Sequence, residues 1–177
     1  MSERRFTVSA LAAALIAALA VLAPAHLAPA HAAPEDLQEV FRMELEGDKV
    51  GAYLKLKELA PDGDPIVQYK LGGYYQYGWA GPADYKLARE WYGRAARQGS
   101  PDAMLGLAIM DSQGWGGPLD KKSAFVWLTI ASRLLKDPGE IKNVNGLRDK
   151  YKAELSSAEL NAALAEAMAF QAAPETH

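Results

Sequence analysis

Cysteine is absent from the 177 residues. No disulfide, thiolate nucleophile or cysteine-linked lipid can form, so stability has to come from packing alone. Histidine is nearly absent as well: His26 and His31 lie in an apolar leader and His177 is the last residue, where a frayed terminus makes a poor active site. Zinc centres, Ser-His-Asp triads and Cys-His dyads need more than this. A Gly-rich phosphate loop is also missing, because Gly78, Gly81, Gly114, Gly116 and Gly117 lack both a following Lys-Ser/Thr and a preceding strand. Neither a metal nor a cofactor is expected.

Long apolar runs are scarce too. The run from Val8 to Ala23 is shorter than the roughly 20 residues a spanning helix needs. Arg4 and Arg5 precede it, and Ala30-His31-Ala32 supplies a small-x-small cleavage site. Residues 1–32 are therefore read as a cleavable signal peptide, cut near Ala32-Ala33. The expected location is periplasmic or secreted, with the membrane met only transiently through that segment. Removing Glu3, Arg4 and Arg5 leaves 17 basic against 21 acidic residues, a net charge of about −4. Such mild acidity argues against nucleic acid as a partner. Residues 33–177 suffice for one domain with its own core.

What the chain has in quantity is repetition. "GWAGPADYKLAREW" begins at Gly78 and "GWGGPLDKKSAFVW" at Gly114, an offset of 36 residues, within the range of stacked helical units. The register extends well beyond this motif: Gly63 falls on Gly99, Pro65 on Pro101, Leu71 on Leu107, Asp84 on Asp120, Ala88 on Ala124, Trp91 on Trp127 and Ala95 on Ala131. A fainter copy precedes both, with Asp48 beneath Asp84 and Ala52 beneath Ala88.

Each unit reads as two helices. Asp64-Pro65 and Ser100-Pro101 place an N-cap acceptor before a proline at the first helical position, where its missing N–H costs nothing. Gly78 and Gly114 end these first helices. Asp84 and Asp120 then cap the second ones, which carry Trp91 and Trp127 as expected core residues. Beyond the repeats, one helix is expected from about Glu140, with a weak point at Asn143 to Gly146. A last helix opens with a Ser156–Glu159 capping box and carries a Leu160, Leu164, Ala167 and Met168 stripe. Charges from Asp149 to Glu166 supply a polar outer face. Together these imply an all-α, α/α solenoid: a degenerate repeat at 34–62, full repeats at 63–98 and 99–134, and capping helices at 138–172.

Leu71-Gly72, Tyr75, Gly78, Pro82, Asp84, Ala88, Trp91-Tyr92, Ala95-Ala96 and Gly99 resemble the pattern of the Sel1-like repeat family, a TPR-like group. The second copy keeps Ala103, Leu107, Gly114, Asp120, Ala124, Trp127 and Ala131, but has Asp111 where Tyr is usual. The resemblance implies a helical scaffold whose first helices line a concave face that holds peptides or proteins. On that face Tyr69, Tyr74 and Tyr77 are the candidate binding residues. Trp79 and Trp115, in the inter-helix loops, join them, because Tyr and Trp are enriched at interface hot spots. The functional expectation is a non-enzymatic protein–protein interaction adaptor of the bacterial cell envelope. The alternative is a cell-envelope hydrolase or β-lactam-binding protein, roles assigned to some secreted relatives that are rich in disulfides. It requires a deep pocket holding two carboxylates, or an activated serine near a lysine.

Overall fold

The computed structural model describes residues 34–173; the expected signal peptide lies outside them. Eight α-helices and no strand occur among the described residues: α1 (Pro34–Glu46), α2 (Lys49–Leu59), α3 (Pro65–Tyr77), α4 (Tyr85–Arg97), α5 (Pro101–Gln113), α6 (Lys121–Leu134), α7 (Pro138–Lys152) and α8 (Ser157–Ala169). Consecutive helices form antiparallel pairs, and the pairs stack as an α/α solenoid.

The repeat spacing reappears as capping chemistry. Asp48 accepts the Gly51 N–H at 2.8 Å, Asp84 accepts those of Lys86 and Leu87 at 3.0 Å, and Asp120 accepts that of Ser123 at 2.9 Å. Each satisfies otherwise orphaned donors at the start of the second helix of a pair. First helices open on a cap followed by proline: Asp64 accepts from Ile66 at 2.7 Å, Ser100 from Ala103 at 3.4 Å and Asp137 from Glu140 at 2.9 Å. In the third, Asp137-Pro138 is the same signature displaced by one residue; α7 begins at Pro138 and runs unbroken through Asn143 to Gly146, without the expected weak point.

Packing follows the same register. Ala52, Ala88 and Ala124 are fully buried, as are Leu56 and Leu128, with Tyr92 between them in sequence order and equally inside. Trp91 and Trp127, expected in the core, are only partly buried. Arg94 lies 4.7 Å from the Trp91 ring and Phe170 packs edge-on to Trp127 at 6.4 Å. The core position belongs to the next residue, because there the opposite helices leave room. A Cβ on Gly72 of α3 would lie 2.6 Å from the Tyr92 ring, and one on Gly106 of α5 would lie 2.9 Å from it. Tyr92 therefore joins three helices across two repeats.

Polar links complete the stack. Gln98, after α4, donates to the Gly63 carbonyl and to Gln68 Oε1, both at 2.8 Å. Buried Asp111 accepts from Arg89 and from Ser123, the latter at 2.6 Å. In α8 the buried stripe is Ala163 and Ala167; Leu164 and Met168 face out. Alanines let α8 lie close to α6, where Arg133 donates to the Ala167 carbonyl at 2.9 Å. The Ser156–Glu159 capping box is formed, and its hydrogen bonds hold the Glu159 carboxyl below the usual range. Lys121–Glu154 and Lys122–Glu166 tie the C-terminal pair to the start of α6. The chain then returns past Phe170, so that the Ala173 N–H donates to the Arg97 carbonyl at 3.0 Å.

The glycine slot gives a signed prediction. Helical Gly→Ala ordinarily gains about 0.5–1 kcal/mol, whereas overpacking costs about 1–3 kcal/mol. Gly146 faces open space, so Gly146→Ala should raise the denaturation midpoint. Gly72→Ala meets an immobilised ring and should lower stability by about 1–2 kcal/mol net; a stabilised Gly72→Ala would refute the slot.

Candidate functional site

A groove of about 250 Å³ opens between α3 and α5. Its floor is made where side chains are missing: Gly73 and Gly106 flank the buried Tyr92 ring, whose hydroxyl donates to Gln76 Oε1 at 2.7 Å. Tyr69 forms one wall, tilted against Tyr92 with ring centres 5.7 Å apart. Leu105 and Ile109 of α5 add aliphatic surface, and Asp102 stands on the rim.

The opposite wall depends on a helix ending. Gly78 takes the left-handed conformation, φ 63°, which a side chain would oppose. The reversal lays Trp79 over Tyr77, the last residue of α3, with ring centres 5.0 Å apart and planes 21° from parallel. Both stay accessible, Tyr77 at 57% and Trp79 at 48%. Trp79 is nonetheless held in place. Tyr74 meets it edge-on at 5.2 Å and Lys49 lies 5.4 Å from its ring centre.

The expected site residues therefore divide. Tyr69, Tyr77 and Trp79 come together in the groove. Tyr74 does not: it is 2% exposed, with its hydroxyl donating to Glu44 Oε1 at 3.3 Å, and it supports Trp79 from behind. Trp115 is likewise elsewhere. It stacks on Tyr85 at 5.2 Å, and its carbonyl accepts from Arg89 at 2.9 Å, so it joins two repeats. At the position equivalent to Tyr77 the second unit has Gln113, which gives Trp115 no aromatic partner within its own loop. Sequence reasoning missed Tyr92, Asp102 and Ile109. The adjacent Gly72-Gly73 pair inside a helix was the available signal, since two such residues weaken a helix unless something must approach it closely.

Electrostatically the groove is muted except at one point. Glu44 accepts from Lys70 at 2.8 Å as well as from Tyr74, so these opposite charges cancel within the wall. The phenols are held protonated. Burial is the leading cause for all four shifted tyrosines: Tyr75 is pushed up to about 12, while Tyr69, Tyr74 and Tyr92 also rise, helped by the charges of Asp102 at Tyr69 and Glu44 at Tyr74. Among the described residues no group of three or more His, Cys, Asp or Glu side chains could hold a metal ion. No described helix is long and apolar enough to cross a membrane.

A phenol whose folded value is raised binds its proton more tightly in the native state, so stability is complete below the unfolded value of 10.0 and falls as pH rises through the folded values. Chemical denaturation midpoints should hold steady to about pH 9 and drop steeply from about pH 10 upward. The tyrosinate absorbance of these buried rings should appear together with loss of helicity, and Tyr74→Phe should flatten the decline. A midpoint unchanged across this window would contradict the burial of these rings.

The Sel1 repeat family model matches residues 65–100 and 101–134. Among solved structures the chain is similar to the crystal structure of a protective antigen present in uropathogenic Escherichia coli strains displaying an SLR fold. The TM-score is 0.62 at 24% identity, over 67% of this chain and 25% of that one. The aligned part thus spans about a quarter of that protein's length, and the likeness is one of fold. No curated protein matches the sequence.

Proposed function

Because the chain carries two Sel1 repeats, we propose that it is a non-enzymatic interaction scaffold that holds a peptide or a partner's segment in the groove between α3 and α5. The observation that carries this reading is the Tyr77–Trp79 stack. Two large rings stay half exposed beside an opening floored by Tyr92, although the core does not require Tyr77 there at all. Rigid aromatics beside a preformed opening are what interface anchors consist of. The hydrolase alternative draws no support from this geometry. Of the two carboxylates on the lining, Glu44 is engaged by Lys70 and Tyr74, and a two-carboxylate mechanism needs both to face the substrate.

The place of action is proposed as the cell envelope, periplasmic or secreted, on the strength of Arg4-Arg5, the apolar run after them and the Ala30-His31-Ala32 site.

Selection of displayed peptides on the immobilised protein tests the groove. Tyr77→Ala and Ile109→Ala alter accessible side chains, so both variants should keep native helicity by circular dichroism. Each should weaken the selected peptides about tenfold or more, as loss of an interface anchor does. Peptides that bind both variants as tightly as the parent would place the interaction elsewhere.

A further inference from the structure

Resting on the groove reading above, we propose that its occupant is a basic segment of a partner protein, which sets a lysine or arginine against Asp102 and the face of Tyr69 and an apolar neighbour on the Tyr77–Trp79 stack. Three charged residues line the groove: Glu44, Lys70 and Asp102. The first two neutralise each other at 2.8 Å, with both side chains 18% exposed, and Lys70 also lies 4.4 Å from the Phe41 ring. A partner carboxylate would find that cation already taken. Asp102 differs. It lies exposed in the first turn of α5, and among the described residues no side chain pairs with it.

Among the lining residues the charge left without a side-chain partner is therefore negative; Lys49 lies off the lining, against the Trp79 ring. The partial positive charge at the α5 N-terminus, about half a unit, offsets only part of that negative charge. Aromatic faces add to the preference, because their quadrupole attracts cations and the attraction strengthens as water is excluded. Tyr69 supplies such a face beside Asp102, whose charge is near enough to help hold the Tyr69 phenol protonated. Four aromatic residues, Tyr69, Tyr77, Trp79 and Tyr92, surround an opening of about 250 Å³. That volume suits one or two side chains and leaves the rest of a segment to run along the rim. A long aliphatic stem ending in a cation fits both requirements.

The test is a synthetic array in which short peptides share an aromatic or aliphatic anchor and carry Lys, Arg, Gln or Glu at each neighbouring position. Binding is read on protein expressed from the full sequence, by its tryptophan fluorescence and by polarisation of labelled peptides. Lys and Arg peptides should bind best, with affinity that falls as salt rises. Asp102→Asn should weaken those peptides about three- to tenfold while leaving the Gln series unchanged. If Gln or Glu peptides bind as well as basic ones, or Asp102→Asn has no effect on a basic peptide that Tyr77→Ala abolishes, the basic occupant is wrong and the groove stands. If no peptide binds, or Tyr77→Ala leaves binding intact, the groove itself fails and this proposal with it.

Discussion

A tyrosine ring held between two helices that offer it no side chain fixes the relation between the repeats. Tyr92 enters between Gly72 and Gly106, each close enough that a Cβ would collide with it. The slot admits a flat ring and nothing wider, so α3, α4 and α5 share one placement. A buried phenol left without a partner would cost about 1–3 kcal/mol; the bond to Gln76 at 2.7 Å removes that cost. The same ring, 2% exposed, lies beneath the groove. One residue thus couples the stacking of repeats to the shape of the surface they present.

The array keeps its contacts while changing their chemistry. Tyr53 and Tyr75 meet hydroxyl to hydroxyl at 3.2 Å across one junction. Thirty-six residues on, the same two positions are Arg89 and Asp111, joined as an ion pair. Lys49 covers Trp79 in one repeat, and its equivalent Tyr85 stacks on Trp115 in the next. In each case the backbone places the two side chains and the side chains find a favourable bond. Asp111 is the sharper case. A buried carboxylate would be costly alone, but the Arg89 guanidinium and the Ser123 hydroxyl both donate to it. The departure from the usual Tyr is tolerated because the facing position carries Arg89 where the unit before carries Tyr53.

This explains what could be read in advance. Caps, prolines and left-handed glycines act within a few residues, so Asp84, Asp120, Pro65, Pro101, Gly78 and Gly114 disclosed the helix pairs directly. The burial of Trp91 was misjudged, since recurrence marks a position as structural without saying whether a ring lies inside a layer or along its edge. Tyr69, Tyr77 and Trp79 were identifiable as a group because they sit on one helix and the loop after it. Their partners were hidden: Asp102 and Ile109 belong to the next unit, and which face of α5 meets α3 is decided by Tyr92. Tyr74 shows the converse error. Aromatic clustering on a helix does not distinguish a ring that faces a ligand from one that braces it.

Why the opening lies between α3 and α5, rather than one junction earlier or later, follows from the same register. The floor exists where Gly73 and Gly106 face each other across Tyr92. One unit back, the position equivalent to Gly106 is Lys70, whose side chain reaches Glu44 as an ion pair. One unit on, the position equivalent to Gly73 is Ile109, which carries a side chain where Gly73 has none. Leu56 and Leu128 stand where Tyr92 does, and neither carries a hydroxyl that needs a partner. Glycine in a helix interior costs about 0.5–1 kcal/mol relative to alanine. Of the helical glycines around Tyr92, Gly72 and Gly106 are required by its ring, but Gly73 is not: a Cβ there would make only ordinary contact, at 3.6 Å or more. Packing alone therefore leaves Gly73 unexplained, whereas an occupant entering over Tyr92 would need the space that it keeps open.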